Sequence, residues 1–311
     1  MSANIKNLNS EVAGGETGLF YRLSILAICF FVALLVAGAL AVWLGGFFEP
    51  GSRSEILAQS VAQNVVGFIG AAIATAWIIS RRPASYLGLT QQVGWRPFVG
   101  VVIVYLMGIP FLNQLIYYNE QLTLPASMAG LEASMRSMEE AAAKVTDLIL
   151  SATSVGSLIS GILIIGVLTG LAEELFFRGA LQRSLTAYAP MKQWSVWIGA
   201  VIFSAVHLQF FGFFPRLLLG AFFGYMLYST GSIWPGVFAH ALNNSLVVVT
   251  EWIGHRSGSD YSDAQQWGVA ETGCPWIALA SLIALGIFLY FCYDYFFTPA
   301  KKSTDATNNR E

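Results

Sequence analysis

Residues Val155–Leu181 read VGSLISGILIIGVLTGLAEELFFRGAL. A bilayer crossing takes about 20 mostly apolar residues, and this run is long enough. It nevertheless ends in two adjacent carboxylates, Glu173 and Glu174, followed by Arg178. Ionisable side chains inside a membrane segment are costly and mark a functional site by default. Apolar runs of the same kind recur on both sides: Leu19–Phe48, Ile56–Ile79, Phe98–Tyr117, Trp194–Phe211, Leu217–Tyr228, Ile233–Ile253 and Trp276–Phe297. Helices satisfy their own backbone groups in lipid. The pattern therefore predicts an all-α, polytopic transmembrane helical bundle of about eight spans.

Composition points the same way. Of 311 residues, 56% are hydrophobic and only 11% are charged, against about 25% charged in a soluble domain. A net charge of -2, with no run of Lys or Arg, excludes a nucleic-acid partner. The three cysteines, Cys29, Cys274 and Cys292, contain no Cys-x-x-Cys pair, so neither a disulfide framework nor a thiolate metal site is indicated.

The expected organisation is a polar N-terminal tail (1–18), one transmembrane domain (19–297) and a disordered C-terminal tail (298–311). Segment Thr123–Asp147 reads as an interfacial helix on the outer side, and His255–Gly273 as an outer polar loop. With the N-terminus inside, eleven of the sixteen Lys and Arg residues fall on the inner side and five on the outer. That bias predicts both termini in the cytoplasm. Compact length and short loops suggest a bacterial inner membrane.

Three polar constellations carry chemistry. Glu174 and Arg178 are spaced i,i+4 and share a helix face, so they can pair. Glu173 sits about 100° round the helix and is left free to act as a base. Phe203-Ser204-Ala205-Val206-His207 places one histidine in the fifth run. His240-Ala241-Leu242-Asn243-Asn244 places another in the seventh, with His240 and Asn244 on one face. At ~1.5 Å per residue, Glu173, His207 and His240 are expected about 12, 20 and 10 Å from the inner side, close enough to converge. Imidazoles and a carboxylate around one point can polarise water, and Asn244 can donate to a developing oxyanion. The same residues also suit a two-His, one-carboxylate metal site built from Glu173, His207 and His240. No Gly-x-Ser-x-Gly elbow and no His-Glu-x-x-His motif is present.

Glu-Glu-x-x-x-Arg, then Phe-x-x-x-His, then His-x-x-x-Asn, each on its own span in that order, is similar to the CPBP family. That family groups type II CAAX prenyl endopeptidases with the Abi and lysostaphin-resistance proteins. The residues that match are Glu173, Glu174, Arg178, Phe203, His207, His240 and Asn244, within a core of about 155–253. The resemblance implies an intramembrane metalloendopeptidase. In it Glu173 and His207 activate water, His240 and Asn244 stabilise the oxyanion or join a metal site, and Glu174, Arg178 and Phe203 support the architecture. It also implies a divalent metal, zinc above others, and a membrane-embedded or lipid-anchored peptide or protein as substrate. A non-catalytic immunity or assembly factor of the same fold is the alternative, and a proton-coupled transporter a more distant one.

Overall fold

A computed structural model describes residues 15–187, 193–258 and 266–299. Most of the expected N-terminal and C-terminal tails, and Lys192 between two helices, lie outside the described residues. The order is α1 (Gly15–Gly45), α2 (Arg53–Ile79), α3 (Arg96–Glu120), α4 (Ala129–Leu150), α5 (Val155–Thr186), α6 (Trp194–Ala205), α7 (Phe213–Thr230), α8 (Trp234–Ser257) and α9 (Trp276–Phe291). No strand occurs among the described residues. The chain is a polytopic helical bundle of the integral membrane class. Among the described residues, five segments are long and apolar enough to cross a membrane: Gly18–Gly45 of α1, α2, α3, α5, and α7 with its preceding turn. α6 and α9 are shorter apolar helices. Large apolar side chains stand exposed along α1 and α9, among them Phe31, Trp43, Ile283 and Phe291, as lipid-facing surfaces require.

The helix ends differ from the sequence expectation, and four of the differences bear on the packing and the site. α6 stops at Ala205 rather than continuing to Phe211. His207 Nδ1 lies 2.7 Å from the Phe203 carbonyl, the acceptor that the backbone N–H of residue 207 would use in a continuing helix. The ring thus competes with the backbone for that acceptor. Leu208, which follows, takes a left-handed φ of 55°. α5 runs on to Thr186, five residues beyond the expected end, so Glu173 lies about 20 Å from its inner end rather than 12 Å. α8 continues to Ser257, which puts His255 on a helix and not in a loop. α9 ends at Phe291, and a single further turn, Tyr293–Phe296, tucks buried Phe296 against Gly100.

Close packing of α5 on α8 follows from three small residues. A Cβ on Gly161 would meet Val248 at 2.9 Å, one on Gly166 would collide with Ser245 Oγ, and one on Gly170 would lie 3.0 Å from the Ala241 backbone nitrogen. The antiparallel series continues to Glu174 beside His240. The spacing of five between Gly161 and Gly166 is that of a wide, π-type turn, which α5 adopts over Ile162–Leu168. Such turns free backbone carbonyls, and side chains take them up. Asn244 Nδ2 donates to Ile165 O at 3.1 Å. Thr169 Oγ1 donates to Ile164 O at 3.0 Å and accepts from Asn64 Nδ2 of α2 at 3.0 Å.

Candidate active site

Glu174 and Arg178 are fully buried, with exposures of 0% and 2%. Charges taken out of water require close partners. Arg178 Nη1 lies 2.9 Å from Glu174 Oε1, and Nη2 donates to the Gly220 carbonyl at 2.8 Å. One turn further along α5, Gln182 Nε2 donates to Gly224 O at 3.0 Å. Gly220 and Gly224 are spaced i,i+4 on α7. Their missing side chains let Phe203 and Val196 of α6 approach, since a Cβ at either glycine would meet one of them at 2.9 Å. One glycine pair thus seats α6 and also presents two carbonyls to α5.

The Glu174 carboxylate also accepts from His240 Nδ1 at 3.0 Å. Its other oxygen lies 3.0 Å from where a Cβ on Gly236 would stand, so glycine is needed there. A carboxylate can only accept, so Nδ1 carries the proton and Nε2 is the free nitrogen. Nε2 faces Glu173 Oε2 across 3.7 Å, longer than a hydrogen bond. Glu173 Oε2 is buried and has no hydrogen-bond partner within the protein. A buried polar atom without a partner calls for a functional explanation.

Phe203 joins the parts. Its ring is 4.5 Å from the Arg178 guanidinium carbon, 5.6 Å from the His240 ring and 5.1 Å from the His207 ring. Phe223 stacks on His240 at 4.8 Å and 18°. His207 Nδ1 faces a carbonyl and therefore also carries its proton, leaving Nε2 as the free nitrogen. The structure thus brings Glu173, Glu174, Arg178 and His240 into one contact network, with His207 attached through Phe203. Asn244 lies one turn beyond His240. One of its amide hydrogens is committed to Ile165 O, and its carbonyl accepts from Asn243 Nδ2 at 3.2 Å.

Among the described residues no three His, Cys, Asp or Glu side chains form a metal-binding group, so no step is derived through a metal. His207 and His240 each keep Nε2 free, with Nδ1 held by a carbonyl and a carboxylate, so the ring chemistry itself suits a metal ligand.

Residues 155–246, which hold every element of this network, match the family model described as type II CAAX prenyl endopeptidase Rce1-like. This segment is similar to the Rce1-like family. No curated protein and no solved structure matches the chain. The Rce1-like segment begins at α5, so α1–α4 lie outside it.

The sequence reading missed Arg216, counting it as an outer loop charge. It sits in the first turn of α7, where Nη2 donates to Gln209 Oε1 at 2.7 Å. Its charge acts on both Glu173 and His207. Four residues of apolar sequence on either side carry no motif that would have singled it out. With Arg178 buried and Arg216 turned towards the site, one residue leaves each side of the charge count, and the bias becomes ten against four.

Proposed function

We propose that the chain is an intramembrane endopeptidase that hydrolyses a peptide bond in a membrane-embedded or lipid-anchored substrate. One observation carries the proposal: the unpartnered, buried Glu173 Oε2 faces Nε2 of a histidine whose other nitrogen is fixed by Glu174. Glu173, assisted by His207, takes a proton from water. The water oxygen bonds to the scissile carbonyl carbon, and the carbonyl electrons move onto oxygen. The second amide hydrogen of Asn244 is a donor available to that oxyanion, and His240 Nε2 adds a second donor only when the ring enters the reaction as the imidazolium. When the C–N bond breaks, the proton held on Glu173 passes to the leaving amine, so the acid and base return to their starting states. Glu174, Arg178 and Phe203 hold the two working side chains in place. The Rce1-like match supports this class of activity and makes a prenylated C-terminal peptide one substrate to test. We place both termini in the cytoplasm of a bacterial inner membrane, on the charge bias.

The test uses purified full-length protein in detergent. The two probes are internally quenched peptides, one a single membrane span and the other a farnesylated peptide with a C-terminal CAAX sequence. Cleavage of either by the wild type, abolished in Glu173→Gln, is the expected result. Wild-type turnover in Glu173→Gln would remove Glu173 as the base, and no cleavage of either probe by the wild type would favour a binding scaffold.

A further inference from the structure

Between α6 and α7 the backbone leaves α-helical geometry over residues 206–212, with a single 3-10 turn at Phe210–Gly212. Leu208, with φ 55°, is held in a conformation that a bulky residue does not choose freely. Irregular backbone at membrane depth persists only where protein satisfies its polar groups. Two side chains from outside the Rce1-like segment do so. Asn119, buried in the last turn of α3, donates from Nδ2 to Phe210 O at 3.1 Å and accepts the Phe214 N–H at Oδ1 at 2.9 Å. One amide thus brackets the far half of the turn. Glu139 of α4 accepts the Phe211 N–H at Oε1 at 2.9 Å. Arg136, one turn earlier on α4, lies 4.0 Å over the Phe211 ring. On the near side, Ser204 Oγ donates to Phe213 O at 2.7 Å, closing the turn onto α6.

We propose that Asn119 and Glu139 are positioning residues for His207, a role that rests on the hydrolase reading above. Neither contacts the Glu173–His240 pair. Each acts by fixing the turn that aims the imidazole. In this contact Glu139 is needed as an acceptor, because the Phe211 N–H that it holds is neutral, although its carboxylate also lies near Arg136 and Arg216. A neutral side chain of the same shape therefore suffices. The proposal also gives α3 and the surface helix α4 a function in a reaction whose acid–base groups all lie on α5, α8 and the α6–α7 connection.

The experiment uses the full chain with Cys29, Cys274 and Cys292 changed to serine and Leu208→Cys as a probe. Leu208 is exposed, so the maleimide labelling rate of the introduced thiol reports the turn whether or not catalysis occurs. Turnover of the quenched peptides is measured in the same variants without the probe. In Asn119→Leu and Glu139→Ala we expect labelling to change severalfold and kcat to fall about tenfold, with KM held within about twofold. Glu139→Gln should match the wild type in both readouts. Wild-type labelling in Asn119→Leu and Glu139→Ala, or equal impairment of Glu139→Gln and Glu139→Ala, would overturn the positioning role. Should Glu139→Ala not fold, Asn119→Asp replaces it. That variant keeps the acceptor for Phe214 and loses the donor to Phe210, so intermediate labelling is expected, and wild-type labelling counts against the role. Glu173→Gln, run in parallel, separates the two claims, because full turnover there removes the assigned Glu173 chemistry while the labelling result still judges the turn.

Discussion

His240 Nδ1 and Glu174 Oε1 are 3.0 Å apart although 66 residues separate them in sequence. The same carboxylate oxygen lies 2.9 Å from Arg178 Nη1. Glu174 therefore has two jobs: it neutralises a buried guanidinium and sets which nitrogen of His240 is free. Its neighbour Glu173 is left with an unpartnered oxygen facing that free nitrogen. Adjacent residues on a helix point about 100° apart, which is why two consecutive glutamates can divide support and chemistry between them.

Removing one partner of a buried pair should be costly, and removing both much less so. Glu174→Leu strands the Arg178 guanidinium and is expected to lose about 3–5 kcal/mol. Adding Arg178→Met should recover most of that stability, because a buried pair can often be replaced by apolar groups. Activity should not return, since His240 keeps no acceptor at Nδ1. Thermal unfolding in detergent and peptide turnover, measured on the same two variants, separate the effects.

Gly170→Ala tests whether α5–α8 contact sets the site. The new methyl would lie 3.0 Å from the Ala241 nitrogen and 3.2 Å from its Cα, and backbone cannot swing aside as a side chain does. Overpacking of this kind costs about 1–3 kcal/mol. Glu174 is one turn along α5 and His240 adjoins Ala241, so the displacement reaches their bond directly. Turnover should fall by about a hundredfold, as a misplacement near 1 Å can cause. Gly38, which has open space around it, serves as the control site for alanine.

Chelation should leave turnover unchanged. No three ligating side chains gather among the described residues. Dialysis against EDTA and 1,10-phenanthroline, followed by an activity assay, is the check. Loss of activity that zinc restores would reinstate the Glu173–His207–His240 metal set.

Topology can be read from the native cysteines. Cys274 is exposed in the connection between α8 and α9, whereas Cys29 and Cys292 lie in or beside apolar helices. With both termini inside, that connection is on the outer face. A membrane-impermeant maleimide should then label Cys274 on intact cells, and labelling should vanish in Cys274→Ser. Labelling seen only after lysis would invert the orientation.

Two carboxylates of the surface helix α4 should respond to pH with opposite signs. Burial raises the Glu139 carboxyl above its ordinary value, outweighing the Phe211 N–H and the nearby arginines. The Glu132 carboxyl is held below its ordinary value by the Leu124 N–H and then by Arg136. A raised folded value means that the charged form is the disfavoured one. Stability therefore falls as pH climbs from the ordinary glutamate value through the raised one. For Glu132 the stabilisation is present above the ordinary value and is lost as pH drops through the lowered one. Measured against pH, unfolding temperature should shift in favour of Glu139→Gln as pH rises, and in favour of the wild type over Glu132→Gln.

The sequence by itself determined the class and most of the motif. Apolar runs of spanning length leave a chain no aqueous fold, and i,i+4 spacing alone puts Glu174 on the face of Arg178, and His240 on that of Asn244. These are local properties, fixed by the pitch of a helix and by the dielectric of the bilayer. Tertiary structure decided what those faces meet. That Glu174, and not Glu173, binds His240 depends on how Gly161, Gly166 and Gly170 let α5 settle on α8. That Asn244 is partly committed to Ile165 depends on a wide turn in a different helix. The end of α6 at His207, the inward turn of Arg216, and the hold of Asn119 and Glu139 on residues 206–212 join segments tens of residues apart. No local spacing encodes such pairings, because each arises only when helices with unrelated sequences are packed against one another.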